Sequence, residues 1–355
     1  MPTQYQYRYV TLTKETAAYG TADTLVLTGE VDDESLQHQF DMMSRSDMSY
    51  MGVKKALAGK THSEGGINLV CQPDDFCAMI LRGVYNSYTF NDGSATEAHV
   101  MTESVALNTG TAAAQYLQQL PSFNVLVGRE DKQHLYTGMC ISRVSMSANV
   151  GEYVTMSADF TGQAEAATDT LLSPTFDGGA DDGMHFAQAD VFFDSGTGGI
   201  PASAGDLVKS FSIEWNTNLN TDSCTGLGSR VYTVRPAPQM REITGSLEFS
   251  RPIIGAGAAL GPNDEPAYQA AQAVAGLIYE ESTTTRHAIT LVLTDTADPV
   301  NTLTIEINKV IWDAPTMNVS GRDASTMSLG FTALVDTTGT MSKVSWGNSS
   351  AVSLA

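Results

Sequence analysis

The feature that most constrains this chain is a seven-residue stretch that it contains twice. Thr155-Met156-Ser157-Ala158-Asp159-Phe160-Thr161 returns as Thr326-Met327-Ser328-Leu329-Gly330-Phe331-Thr332, with five of seven residues identical. The copies lie 171 positions apart (327 minus 156) in a chain of 355 residues. Each alternates: Met156, Ala158 and Phe160 fall on one side, and Thr155, Ser157 and Asp159 on the other. Alternation of this kind marks a half-buried β-strand. Gly151 and Gly321 lie just upstream of the two copies, and a further strand-like run precedes each glycine, Ile141 to Ala148 and Ile305 to Trp312. The expectation is one strand–turn–strand unit used twice.

The length exceeds what a single core usually fills, and half of it suffices for a domain without disulfides or metal. Two tandem domains are therefore expected, over residues 1–165 and 184–355, with a linker at 166–183. Charged residues make up 17% of the chain, and Thr, Ser, Gly and Ala are plentiful, which favours mainly β structure with many turns. The formal charge of −21 disfavours a sequence-specific DNA binder, which needs a basic surface. Cys71, Cys77, Cys140 and Cys224 form no C-x-x-C pair and have no histidine at metal-ligand spacing, so buried free thiols are expected. The first residues show no charged-then-apolar signal pattern and no apolar run reaches membrane-spanning length, so synthesis in a cytoplasm and no membrane partner are expected.

Along the first half, strands are expected at Tyr5 to Leu12, Thr24 to Thr28, Gly66 to Cys71 and Phe123 to Val127. Residues 31–65 lose periodicity and read as a long loop of the functional or interface-forming kind. Pro73-Asp74-Asp75 opens a helix whose Phe76, Met79, Ile80 and Gly83 share a face. In the second half, strands are expected at Phe186–Phe193, Val208–Asn216, Ile243–Phe249 and His287–Thr294, and a helix at Ala267–Tyr279. Strand, helix, strand, turn and hairpin thus follow in the same order twice, which supports a tandem duplication.

No catalytic, cofactor or metal site is nominated. Gly255 to Gly261 misplaces the third glycine of a dinucleotide loop. The cluster from Asp177 to Gly183 lacks the ligand register of a calcium loop. The six histidines are scattered, and no Gly-x-Ser-x-Gly elbow occurs. No enzyme and no cofactor are expected.

Ser210-Phe211-Ser212-Ile213-Glu214-Trp215-Asn216, then Gly226-Leu227-Gly228, then Glu242-Ile243-Thr244-Gly245-Ser246-Leu247-Glu248-Phe249 form a more specific pattern. Together with Glu15 to Thr21 and Gly65-Gly66-Ile67-Asn68-Leu69, they resemble the major tail tube proteins of long-tailed bacterial and archaeal viruses. The resemblance implies β-sandwich or barrel domains, each with one flanking helix, whose inner sheets close side by side into rings. Stacked rings make a virion tail tube that conducts viral DNA without sequence-specific binding. Further implied partners are the terminator, tape-measure and distal tail proteins. A chain holding the unit twice is expected to close the usual sixfold ring with three copies, in preference to six. On this reading Thr155, Ser157, Asp159, Thr326 and Ser328 line the channel with small polar and carboxylate groups. Arg45, Lys54, Lys55 and Lys60 of the 31–65 segment are expected to contact the acidic surface of the next ring. The competing expectations are a two-domain adhesin or carbohydrate-binding sandwich, and a terminator or capsid-decorating protein.

Overall fold

A computed structural model of the chain describes residues 8–15, 19–21, 26–46, 48–49, 51–91, 98–104, 119–130, 132–169, 171–172, 183–194, 208–250, 287–295, 298, 300–313, 316–318, 326–336, 339–347 and 353–354. The first half supplies β1 (Tyr9–Lys14), β2 (Leu27–Gly29), β3 (Asp33–Glu34), β4 (Gln37–Arg45), β5 (Lys55–Val70), α1 (Asp75–Arg82), β6 (Ser87–Phe90), β7 (His99–Ser104), β8 (Phe123–Arg129), β9 (Lys132–Asn149), β10 (Thr155–Gly162) and β11 (Ala164–Thr168). The second supplies β12 (Ala189–Asp194), β13 (Val208–Asn216), the short pair β14 (Leu219–Asn220) and β15 (Ala237–Pro238), then β16 (Glu242–Ser250), β17 (His287–Thr294), β18 (Thr302–Trp312), β19 (Thr316–Asn318), β20 (Thr326–Ala333) and β21 (Thr340–Trp346). The protein is mainly antiparallel β.

Both copies of the repeated stretch are strands, and their apolar sides face inward. Met156, Ala158 and Phe160 are buried, as are Leu329 and Phe331. β10 lies between β5 and β9, with Met156 opposite Leu69 and Phe160 opposite Gly65. β20 lies beside β16, with Met327 opposite Phe249 and Phe331 opposite Gly245. A Cβ on Gly245 would stand 2.4 Å from Phe331 Cζ, so the glycine makes room for the ring. Gly151 (φ 93°) turns the chain between β9 and β10, while Gly321 lies outside the described residues.

The halves do not stand apart. β9 pairs with β13 from Asn149↔Ser210 to Arg143↔Asn216. One sheet therefore runs β4–β5–β10–β9–β13–β16–β20, with β3 continuing the β4 position beside β5 and β19 beside β20. Beneath it in the first half β1 pairs with β2 and β8, and β8 and β11 pair with the first part of β9. In the second half the lower order is β12–β17–β18–β21–β7–β6, so a hairpin from the first half completes the second half's sheet. The buried residues form one cluster drawn from both halves.

Asp74 caps α1 by accepting from the Cys77 N–H at 2.8 Å, as Pro73-Asp74-Asp75 predicts. The helix is buried nearly all round; Phe76 fills the space over Gly29, and Ile141 reaches Gly83. All four cysteines are free and buried. The expected helix Ala267–Tyr279 and most of the Asp177–Gly183 cluster lie outside the described residues.

One expectation is corrected. Residues 31–65 are not a loop: β4 and β5 form a long hairpin from Gln37↔Glu64 to Arg45↔Lys55. β11 spans Ala164–Thr168, and most of the expected linker at 166–183 lies outside the described residues.

Candidate functional site

The sheet that joins the halves has two unlike faces. One is the core face, carrying Ile67, Leu69, Val144, Met146, Met156, Ala158, Phe160, Ile213, Trp215, Ile243, Leu247, Leu329 and Phe331, all buried. The other is polar across β5, β10, β9, β13, β16 and β20, while on β18 exposed Ile311 stands opposite Thr332 and β4 exposes Phe40, Met42 and Met43. A single cross-strand row reads Asp33, Asn68, Ser157, Ser145, Glu214, Thr244 and Thr332. The next row reads Gly66, Asp159, Arg143, Asn216 and Glu242. A third carries Thr155, Ser147, Ser212, Ser246 and Gly330. Serine and threonine, tolerated on a pleated surface, tie neighbouring strands: Ser147 Oγ and Thr155 Oγ1 are 3.1 Å apart, and Ser212 Oγ and Ser246 Oγ 2.9 Å.

Of the residues nominated for the channel, Thr155, Ser157, Asp159 and Ser328 stand on this face. Thr155 and Ser328 are exposed, Ser157 and Asp159 are half-buried, and the Thr326 side chain lies outside the described residues. The registers bring β10 and β20 onto one surface although β9, β13 and β16 lie between them.

Charge on this face is strongly biased. Asp33, Glu64, Asp159, Glu214, Glu242 and Glu248 stand in these rows or beside them, against Arg143. Arg143 Nη2 lies 2.7 Å from Asp159 Oδ2, and Nη1 lies 3.7 Å from Glu214 Oε2. The hydrogen bond to Asp159 raises the guanidinium's pKa further above its usual value. The cation therefore clamps three adjacent strands, β10, β9 and β13, instead of standing alone. Sequence reasoning passed over Arg143, Glu214, Glu242 and Glu248. The signal was present in the polar positions of Ser210-x-Ser212-x-Glu214-x-Asn216 and Glu242-x-Thr244-x-Ser246-x-Glu248.

The four cations expected at an inter-ring contact separate into two groups. Arg45 and Lys55 sit directly opposite each other on the hairpin arm, and the Lys54 N–H donates to the Arg45 carbonyl at 2.9 Å. Like charges in opposed positions disfavour the free arm. Around them Met42, Met43, Met48, Met51 and Val53 are exposed, Met48 and Met51 completely. Lys60 belongs elsewhere: its Nζ lies 5.0 Å over the Tyr232 ring and donates to the Thr221 carbonyl at 3.3 Å. That lysine anchors the base of the arm to the second half.

A family model described as phage tail tube protein matches residues 8–333. The chain belongs to that family. No curated protein matches it. For a phage tail tube protein the setting is the virion tail, the role is structural, and the partners are copies of itself and other tail proteins. Among the described residues, no helix is long and apolar enough to cross a membrane.

Proposed function

We propose that this tail tube protein builds stacked rings whose bore is the polar face of the joined sheet, and that viral DNA passes along that face during ejection. The observation that carries the reading is the unbroken run of strands whose one face is core and whose other face is small, polar and acid-biased. A bore rich in Lys and Arg would hold phosphates by releasing their counterions and would stall a polyanion. An acidic bore repels the duplex within a Debye length of about 8 Å at physiological salt. Arg143 is compatible with this because Asp159 and Glu214 already neutralise it.

Each half has the same order of partners: β5, β10 and β9 in the first correspond to β16, β20 and β19 in the second, with glycine opposite phenylalanine in both. We read the halves as two copies of one unit, each filling one sector. Counting the β3–β4 and β18–β19 positions once each, one chain supplies eight strand positions and three chains supply 24. At about 4.8 Å between strands, 24 of them close a barrel about 37 Å across between backbones, and wider once the strands tilt. The β4–β5 arm, with Arg45, Lys54, Lys55 and its exposed methionines, reaches the acidic surface of the next ring. Terminator, tape-measure and distal tail proteins meet the ends and the interior of the same tube.

Electron microscopy of the purified chain, combined with thiol labelling of the Ser157→Cys variant, tests the reading. Tubes should form, and a bulky maleimide polymer should label the introduced thiol at least tenfold more slowly in tubes than in single chains. Tubes that label as fast as single chains would remove the face from the bore. Deleting residues 41–58 should leave rings that do not stack; normal tubes would refute the role of the arm.

A further inference from the structure

We infer that Glu15, Tyr19 and Gly20 set the direction of the β4–β5 arm, acting through Gln163 and Tyr232. Any use of the arm in stacking rests on the reading above, whereas the path to it lies within one chain. The ladders show why the arm needs such a device. β5 pairs with β10 only as far as Ser63↔Gly162, while its pairing with β4 continues to Lys55↔Arg45. Beyond Ser63 the arm therefore leaves the joined sheet. A ladder irregularity between Phe40 and Met42 interrupts it just past that point. A lone two-stranded ribbon is marginal in water, so its course depends on what holds its base.

The base is held by the connection between β13 and β16. The Thr61 N–H donates to the Arg230 carbonyl at 2.8 Å. Tyr232 is buried and presents its ring to Lys60, whose Nζ lies 5.0 Å from the centroid, and to His62, stacked at 6.0 Å. The Tyr232 hydroxyl is bonded by the Thr161 and Thr221 side chains. These contacts are only as fixed as residues 230–232 themselves. Gln163 supplies the fixing. Its Nε2 donates to the Tyr232 carbonyl at 2.7 Å, while its own backbone N–H donates to the Thr137 carbonyl at 2.9 Å.

The other end of that amide meets Gly20. A Cβ on Gly20 would stand 2.7 Å from Gln163 Oε1, so glycine and amide are in close contact. Gly20 has φ 86°, which glycine adopts without strain. Glu15 holds it there. Its buried carboxylate accepts from the Gly20 N–H at 2.8 Å, from the Gly138 N–H at 2.8 Å and from Ser122 Oγ at 2.6 Å. Tyr19 Oη donates to the Gly138 carbonyl at 2.9 Å. Glutamate, tyrosine and glycine at this spacing thus each have a task. Glu15 and Tyr19 tie Gly20 to β9 at Gly138, Gly20 leaves the Gln163 amide one position, and Gln163 fixes Tyr232. The path starts in the first half, passes through the second and returns to the first at Lys60 and His62.

Spin labels on Met51→Cys in the arm and Glu242→Cys on the sheet report the arm's direction in the unassembled chain. Both positions are exposed and all four native thiols are buried. Pulsed electron resonance should give one narrow distance distribution for this labelled parent. Gln163→Leu keeps the bulk and removes the donor, and Gly20→Ala drives a Cβ into the amide. Each should widen the distribution about twofold and speed exchange of the Thr61 amide about tenfold. Gly245→Ala, which disturbs β16 against β20, should do neither, and so separates loss of stability from loss of direction. A width unchanged in either Gln163→Leu or Gly20→Ala would overturn the inference, as would equal widening by Gly245→Ala. Such a failure leaves the tube reading intact, because the measurement needs no tubes. Absence of tubes in microscopy removes the tube reading and leaves the path to the arm standing.

Discussion

Glu103 on β7 and Arg241 just before β16 meet across the two halves in a place that excludes water. Their side chains are 3% and 5% exposed, with Oε1 and Nη1 3.5 Å apart. Burial raises the Glu103 pKa and lowers that of Arg241, and in each case the partner's attraction offsets only part of the effect. Both shifts point the same way: desolvation outweighs pairing. Replacing one ion should therefore be costly and replacing both should not. Arg241→Met strands the carboxylate, with a loss of about 3–5 kcal/mol at pH 8. Replacing both residues, as Glu103→Leu with Arg241→Met, should be neutral or stabilising by about 1–4 kcal/mol. The sign of the pH dependence follows. Without its partner the Glu103 carboxyl titrates still further above its unfolded value of 4.5. The neutral form's stability is present below that value and lost as pH rises through the folded pKa. The single variant should thus lose more stability at pH 8 than at pH 5.5. Urea unfolding of the unassembled chain at the two pH values measures this. A loss below about 1 kcal/mol in the single variant at pH 8, or a double variant as weak as the single, would refute the reasoning.

Three further outcomes are expected. Arg143→Ala should lower stability by no more than about 1 kcal/mol, because its ion pair is half-exposed, and the difference should shrink in 1 M salt when melting is compared at two ionic strengths. Gly245→Ala should destabilise by about 1–3 kcal/mol in urea titrations, since its Cβ would stand 2.4 Å from both Phe331 Cζ and the Ser212 carbonyl oxygen. A gain in stability there would mean that the ring does not press on the glycine. Phe160→Ala and Phe331→Ala should each cost about 3–5 kcal/mol, the same within error if their surroundings are equivalent.

What the sequence disclosed follows from where burial is one-sided. β10, β13 and β16 bury alternate residues, so hydrophobicity of period two marks them and names their faces. α1 was legible because proline and two aspartates signal a helix start through local chemistry that needs no tertiary information. The β4–β5 arm was not, because Gln37 to Arg45 is open to solvent on both faces and alternation is written only where one face is covered. β7 was hidden for the opposite reason. His99 and Glu103 are buried polar residues, so the strand looks hydrophilic; Asp75, 3.0 Å from His99 Nε2, and Arg241 make that burial tolerable. The β9–β13 joint links edges some sixty residues apart, and no local pattern specifies which edges will meet.

The coherence of the polar face constrains the protein more than the repeated heptad that led to it. Alternation assigns two sides to each strand separately and says nothing about how neighbours agree. From β10 to β20 the chain passes three intervening strands and four ladders, and a slip of one residue in any ladder would turn all later polar residues into the core. The ladders contain irregularities, one between Asp159 and Phe160 and one between Val208 and Ser210, yet both fall at strand positions where the face is kept. Thr155 and Ser328 therefore share a surface because every ladder between them preserves parity. Selection for stability alone would be satisfied by any register that buries Met156 and Phe331. Keeping serines, threonines and acids aligned across the whole sheet, with Arg143 held between two carboxylates, makes sense if that surface has a single task along its full width.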